Sequence, residues 1–144
     1  MQFRHDDPAN PRSPVVSMLV NWFYRPKDIG KYNIDQRYLY ASMQSDEAPI
    51  GSLRGKCQIK HRAEIENLEE YRKRRDTFWF NQLFDRYIKR PYEMVPVSAV
   101  INVPENVKKA LDERWKFLAV EPARMKELTS KVKLCQRCNS YCAP

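Results

Sequence analysis

The chain has 144 residues, with 26 lysines and arginines against 18 aspartates and glutamates, a net charge of +8, four cysteines, three glycines and two histidines. Its length suits one ordinary core, and a 42% hydrophobic, 12% aromatic composition argues against wholesale disorder. Three glycines cannot build a dinucleotide fingerprint, Gly51-Ser-Leu-Arg-Gly55-Lys56 has the wrong spacing for a phosphate loop, and two histidines leave little room for a His-based hydrolase, so no enzymatic activity is expected.

In chain order, residues 4–14 are polar, carry three prolines and read as a loop. Residues 15–24 are rich in β-branched and aromatic side chains and read as a strand that stops at Arg25-Pro26. Alternation sends Val20, Trp22 and Tyr24 to one face and Leu19, Asn21 and Phe23 to the other. A second strand is expected over 38–43 and a third within 50–61. From 62 to 76, Ile65, Leu68 and Tyr71 recur at helical spacing, with acids early and bases late, which complements a helix dipole. Residues 77–84 are strongly aromatic and read as a strand, followed by another at 92–95 that Pro96 confines to an edge or a strand end. Beyond Pro104 the spacing of Val107, Leu111, Trp115 and Leu118 predicts a helix, and a last helix is expected over 123–131.

No apolar run approaches the ~18–20 residues needed to span a bilayer, and the polar N-terminus does not read as a secretory signal. The basic balance suggests an acidic partner such as nucleic acid or a nucleosome surface. Arg72-Lys-Arg-Arg75 could contact phosphates, or could be a solvated helix end with Glu69–Lys73 and Glu70–Arg74 pairs. Cys57 and His61 are better read as a core cysteine and a strand-end histidine than as a catalytic pair. Trp22 and Tyr24 share a face and could wall an aromatic cage for a methylated lysine, whose quaternary ammonium is held by ring faces; strand aromatics also pack simply as core. Cys135-Gln-Arg-Cys138 has the two-residue gap that lets two thiolates reach one zinc at ~2.3 Å, and Cys142 follows, but a structural site needs four ligands. A reducing compartment suits these thiols better than a disulfide framework.

Three segments together resemble the bromo-adjacent homology (BAH) domain, a chromatin-associated β-barrel module: Val20-Asn-Trp-Phe-Tyr-Arg-Pro26, Ser52-Leu-Arg-Gly-Lys-Cys57-Gln-Ile-Lys-His61, and Asp76-Thr-Phe-Trp-Phe80 leading to Phe84-Asp85. The cysteine knuckle, with Cys142-Ala143, is similar to the opening of a plant homeodomain (PHD) finger. The combination resembles fungal chromatin regulators that carry several PHD fingers and a SANT domain, here cut at both ends. The resemblance implies a mainly β fold, a partly open antiparallel barrel with short helices and a C-terminal helical extension. It divides the chain into a BAH domain at 1–97 without its first strands, a helical linker at 98–132 and the start of an incomplete finger at 133–144.

In BAH domains that read methyl-lysine, the cage uses a tryptophan and a tyrosine that match Trp22 and Tyr24. Such readers also place a histidine and an aspartate before the Gly-Lys-Cys strand; the matching positions are Gln44 and Asp46, so the acid is present and the histidine is not. The implied ligand site is therefore Trp22, Tyr24 and Asp46, and the implied partner is a histone tail or nucleosome. Zinc is expected in the full-length protein through Cys135, Cys138 and Cys142, without stable binding by this chain. The implied location is nuclear. Two alternatives stand beside this reading: a scaffold docking a subunit of a histone-modifying complex, and DNA binding through basic residues.

Overall fold

The computed structural model describes residues 2–32, 35–130 and 135–138. Among these, runs of β-branched and aromatic residues form seven strands: β1 (Gln2–His5), β2 (Val15–Tyr24), β3 (Tyr38–Pro49), β4 (Gln58–His61), β5 (Thr77–Asp85), β6 (Arg90–Pro96) and β7 (Phe117–Val120). Three short α-helices accompany them, α1 (Leu68–Lys73), α2 (Glu105–Arg114) and α3 (Met125–Thr129). The strands make one curled half-barrel sheet in the order β1-β2-β3-β5-β6-β7, with β4 also paired to β5. The fold is mainly β, as expected, but the sheet is mixed. β3 and β4 both run parallel to β5, because the chain crosses over through β4 and α1 before β5 enters between its neighbours.

Two core clusters lie on opposite faces of this sheet, and a bulge in β5 creates them. Tyr38 pairs with Trp79 and Tyr40 with Gln82, so β5 uses one residue more than β3 over that stretch. One extra residue reverses the alternation of side chains. Phe80 and Leu83 consequently share a face with Ala41, packed by Phe23, Ile59, Tyr92 and Met94. Phe84 joins Tyr38 and Tyr40 on the other face, with Tyr24, Ile29 and Trp79. In a regular strand Phe80 and Phe84, four apart, would point the same way. Edge-on ring pairs tie each cluster, Phe23 to Phe80 at 5.4 Å and Tyr38 to Tyr40 at 5.0 Å between centroids, each contributing roughly 0.5–1.5 kcal/mol beyond burial.

The sequence-based boundaries hold best at β2, where expected and observed limits coincide. The second strand continues to Pro49, and the third contracts to Gln58–His61, leaving Cys57 exposed outside it rather than in the core. The helix expected over 62–76 begins only at Leu68, where the Asn67 side chain accepts the Glu70 N–H. Its buried Tyr71 donates its hydroxyl to the carbonyls of Gln58 (3.2 Å) and Phe78 (3.1 Å), fastening α1 to β4 and β5. The helix after Pro104 stops at Arg114. Trp115 is extended, and Phe117–Val120 pairs with β6, so Trp115 and Leu118 do not continue the helical face. The last helix spans Met125–Thr129 after a 3-10 turn at Pro122–Arg124, and Lys131, the end of the expected range, lies outside the described residues.

His61 is buried at the end of β4 between the Phe80 and Phe117 rings. Its Nδ1 accepts the Ala63 N–H (3.1 Å), which leaves the proton on Nε2 to donate to the Met94 carbonyl (2.8 Å). Burial lowers its pKa below the usual 6.5, against smaller opposing effects of the Met94 bond and the Glu64 and Glu93 charges. The unfolded chain therefore takes up a proton near pH 6.5 that the folded chain refuses until lower pH. This group's contribution is constant above ~6.5 and falls below it, by at most ~1.4 kcal/mol per pH unit. An NMR titration of the imidazole in the folded protein is expected to give a pKa below 6.5; a value above 6.5 contradicts the neutral, doubly bonded ring.

Candidate functional site

The β2–β3 ladder contains an irregularity of a different kind. It pairs Asn21 with Ser45 and then resumes with Phe23 opposite Ala41. Trp22 alone thus stands against three residues, Ser42, Met43 and Gln44. Two extra residues, unlike one, preserve the alternation on either side, so Val20, Trp22 and Tyr24 keep a common face. Trp22 remains 42% exposed and Met43 85% exposed. Among the described residues no aromatic ring pairs with the Trp22 indole.

Tyr24, two residues on, is half-buried. Its ring meets Phe84 edge-on at 6.3 Å, and its hydroxyl donates to Gln44 Oε1. The same oxygen accepts from Arg86 Nη1 at 3.3 Å, while the Gln44 N–H donates to Ser42 Oγ at 3.1 Å. Gln44, at the position that holds a histidine in the methyl-lysine readers this chain resembles, thus folds the irregular stretch back onto Tyr24. Asp46 pairs with Val20, which puts it on the same face as Trp22, in the diagonal position across the ladder. Its side chain is exposed, and Oδ1 accepts the Glu47 N–H at 2.9 Å. Trp22, Tyr24 and Asp46 are thereby brought to one face, with the indole the most open of the aromatic pair.

Behind the irregular stretch lies a hollow of about 340 Å³ between residues 42–45 and 83–87. Met43, Phe84 and the exposed Tyr87 give it apolar walls, and Arg86 a cationic one. Asp85 shapes the adjoining turn by accepting the N–H groups of Tyr87 and Ile88. Sequence reasoning missed the parts of Met43, Phe84 and Arg86, because the register change that assembles them has no local signature.

The other sequence candidates lie elsewhere. Arg72 Nε meets Asp35 Oδ2 at 3.0 Å and its Nη1 meets Glu69 at 2.9 Å. Among the described residues the expected Glu69–Lys73 and Glu70–Arg74 pairs do not form: Glu69 pairs with Arg72 instead, and Arg74 is extended beyond the end of α1. Lys116 bonds the Glu64 carboxylate and holds its pKa below the usual range. Cys135 is half-buried and Cys138 exposed, while Cys142 lies outside the described residues. Two thiols supply half of a structural zinc set, and among the described residues no group of three or more His, Cys, Asp or Glu is gathered for a metal ion. Among those residues no helix is long and apolar enough to cross a membrane.

A BAH domain model matches residues 4–96. The chain is 39% identical over 143 residues to the Lid2 complex component snt2 of Schizosaccharomyces pombe, which covers 99% of this chain and 13% of that protein. It is 35% identical over 112 residues to the E3 ubiquitin-protein ligase SNT2 of Saccharomyces cerevisiae, covering 72% of this chain and 8% of that protein. The chain thus spans 13% and 8% of the length of these relatives.

The open indole sets an expectation for stability. Phe80→Ala, which empties a buried site, should cost about 3–5 kcal/mol, whereas Trp22→Ala should cost less, about 1–2.5 kcal/mol, because the indole is already 42% exposed. Urea unfolding of the two variants compares them; equal losses would mean that Trp22 is core.

Proposed function

The chain belongs to the BAH domain family, and from that premise we propose that it is a non-enzymatic, chromatin-binding module that takes a histone tail on the Trp22 face, with a methylated lysine against the indole. The observation that carries this reading is the exposure of Trp22 where the β2–β3 register breaks. A large ring left open on a strand face costs free energy that packing would recover. A methylated ammonium, poor in or lacking N–H donors, gains from such a ring what it cannot gain from hydrogen bonds, roughly 0.5–2 kcal/mol per contact. Tyr24, oriented by Gln44, would form the second wall, and the Asp46 carboxylate would face the cation.

A module that binds chromatin would act in the nucleus. In a longer protein, Cys135, Cys138 and Cys142 would begin a PHD-type finger and hold zinc with a fourth ligand. The ligase activity in the name of the budding-yeast relative belongs to that protein, of which this chain matches 8%, and we assign none of it to these residues. A docking role toward a subunit of a histone-modifying complex is favoured by one observation, that the fission-yeast relative is named a component of a complex.

Calorimetric titration with trimethyl-lysine and unmodified histone-tail peptides separates the two readings. The tail reading predicts at least a tenfold preference for a trimethylated peptide, lost in Trp22→Ala and weakened severalfold in Asp46→Asn. Equal affinities, or no change in Trp22→Ala, would leave docking as the function.

A further inference from the structure

A second surface, lined by different residues from the hollow behind Met43, carries a charge pattern that histone-tail recognition does not use. The β2–β3 connection turns through Pro26–Ile29, where Pro26 opens a short 3-10 helix and Gly30, at φ 66°, closes it in the left-handed region. This turn presents Arg25, Lys27 and Lys31 along one wall of a cleft of about 780 Å³. Arg37 and Arg75 line the same cleft from the segments that lead into β3 and β5. Arg37 is anchored by a bond from Nη1 to the Thr77 carbonyl at 3.1 Å.

Two carboxylates, Asp35 and Asp76, also line the cleft. Asp35 is already engaged by Arg72 at 3.0 Å and by the Trp79 indole N–H at 2.7 Å. The salt bridges among the described residues involve none of the five cleft cations. Lys31 lies over the Tyr40 ring at 5.6 Å. Like charges gathered this way repel one another, and an anion that spans them relieves the repulsion.

The arrangement favours a long anion over a single phosphate group. The five cations come from three separate segments that line one open cleft. A repeating backbone of phosphates meets such a spread, whereas one phosphoryl group calls for donors converging on a point. We propose that this cleft binds the phosphate backbone of duplex DNA without sequence preference. The proposal does not depend on the histone-tail reading, since the Trp22 face contributes nothing to it.

The test uses the full chain and fluorescence anisotropy with two labelled 20-base-pair duplexes of unrelated sequence, between about 50 and 200 mM salt. Both duplexes should bind with equal affinity, and log K should fall against log salt with a slope of about −2.7 to −4.5, from three to five neutralised phosphates. The Lys27→Glu/Arg75→Glu double variant, altered at two exposed positions, should lose at least tenfold in affinity and flatten the slope while its urea midpoint stays unchanged. Trp22→Ala should bind DNA as the unaltered chain does. Absence of duplex binding, salt-independent binding, or an undiminished double variant with the same urea midpoint would overturn the proposal. So would a phosphoserine peptide that displaces the duplex at equimolar concentration, which would assign the cleft to a phosphorylated protein. Should the double variant lose its urea midpoint, Lys27→Gln/Arg75→Gln replaces it, with the same loss required.

Discussion

The register break between β2 and β3 sets the character of the candidate site. Ladder hydrogen bonds and cross-strand packing both favour one residue against one, and this pair of strands departs from that at Trp22, which faces Ser42, Met43 and Gln44. The departure is tolerated because the two extra residues keep side-chain alternation in phase, so Asp46 and Val20 remain correctly placed on one side of it and Tyr40 and Tyr24 on the other. It is braced by polar contacts that the irregular stretch makes for itself: Gln44 with Tyr24 and Arg86, and the Gln44 N–H with Ser42. With no single residue directly opposite it in the ladder, the indole stays 42% exposed.

The bulge in β5 shows what a single extra residue does instead. There the phase reverses, and the aromatic run of β5 is divided between two clusters, Phe80 with the Phe23 side and Phe84 with the Tyr24 side. The two irregularities cooperate, since Phe84 supports Tyr24, and Tyr24 in turn receives Gln44 from the β3 stretch. The β2–β3 connection then carries the basic cleft. One pair of strands and its connection, joined by Arg75 before β5, therefore supply both candidate contacts with chromatin, an aromatic face for a cationic tail and a cationic cleft for an anionic backbone.

Much of this was legible in the residues. The β-branched and aromatic run of β2 showed its limits, and period-two alternation placed Trp22 and Tyr24 on one face and Phe23 on the other. The matched segments around Trp22, Cys57 and Trp79 pointed to the family. What alternation could not show was any change of phase, because a bulge is set by how neighbouring strands pair. Hence the separation of Phe80 from Phe84, the length of β3 and the role of Gln44 emerged only in three dimensions. β7 was hidden for another reason: Trp115 and Leu118 continue the helical spacing of Val107 and Leu111, yet pairing with β6 prevailed over that local pattern. Cys57 failed as a core residue because β4 begins one position after it.

The claim at the centre of this account is that the register break keeps the Trp22 indole available to a methylated lysine. Its most direct test follows the three indole N–H signals by NMR while a trimethyl-lysine histone peptide is added. Trp79, whose N–H is bonded to Asp35, and Trp115, exposed on the far side of α2 in sequence, serve as internal references. The account predicts that the Trp22 signal moves saturably and the other two do not. A bound peptide that leaves Trp22 unmoved would contradict it.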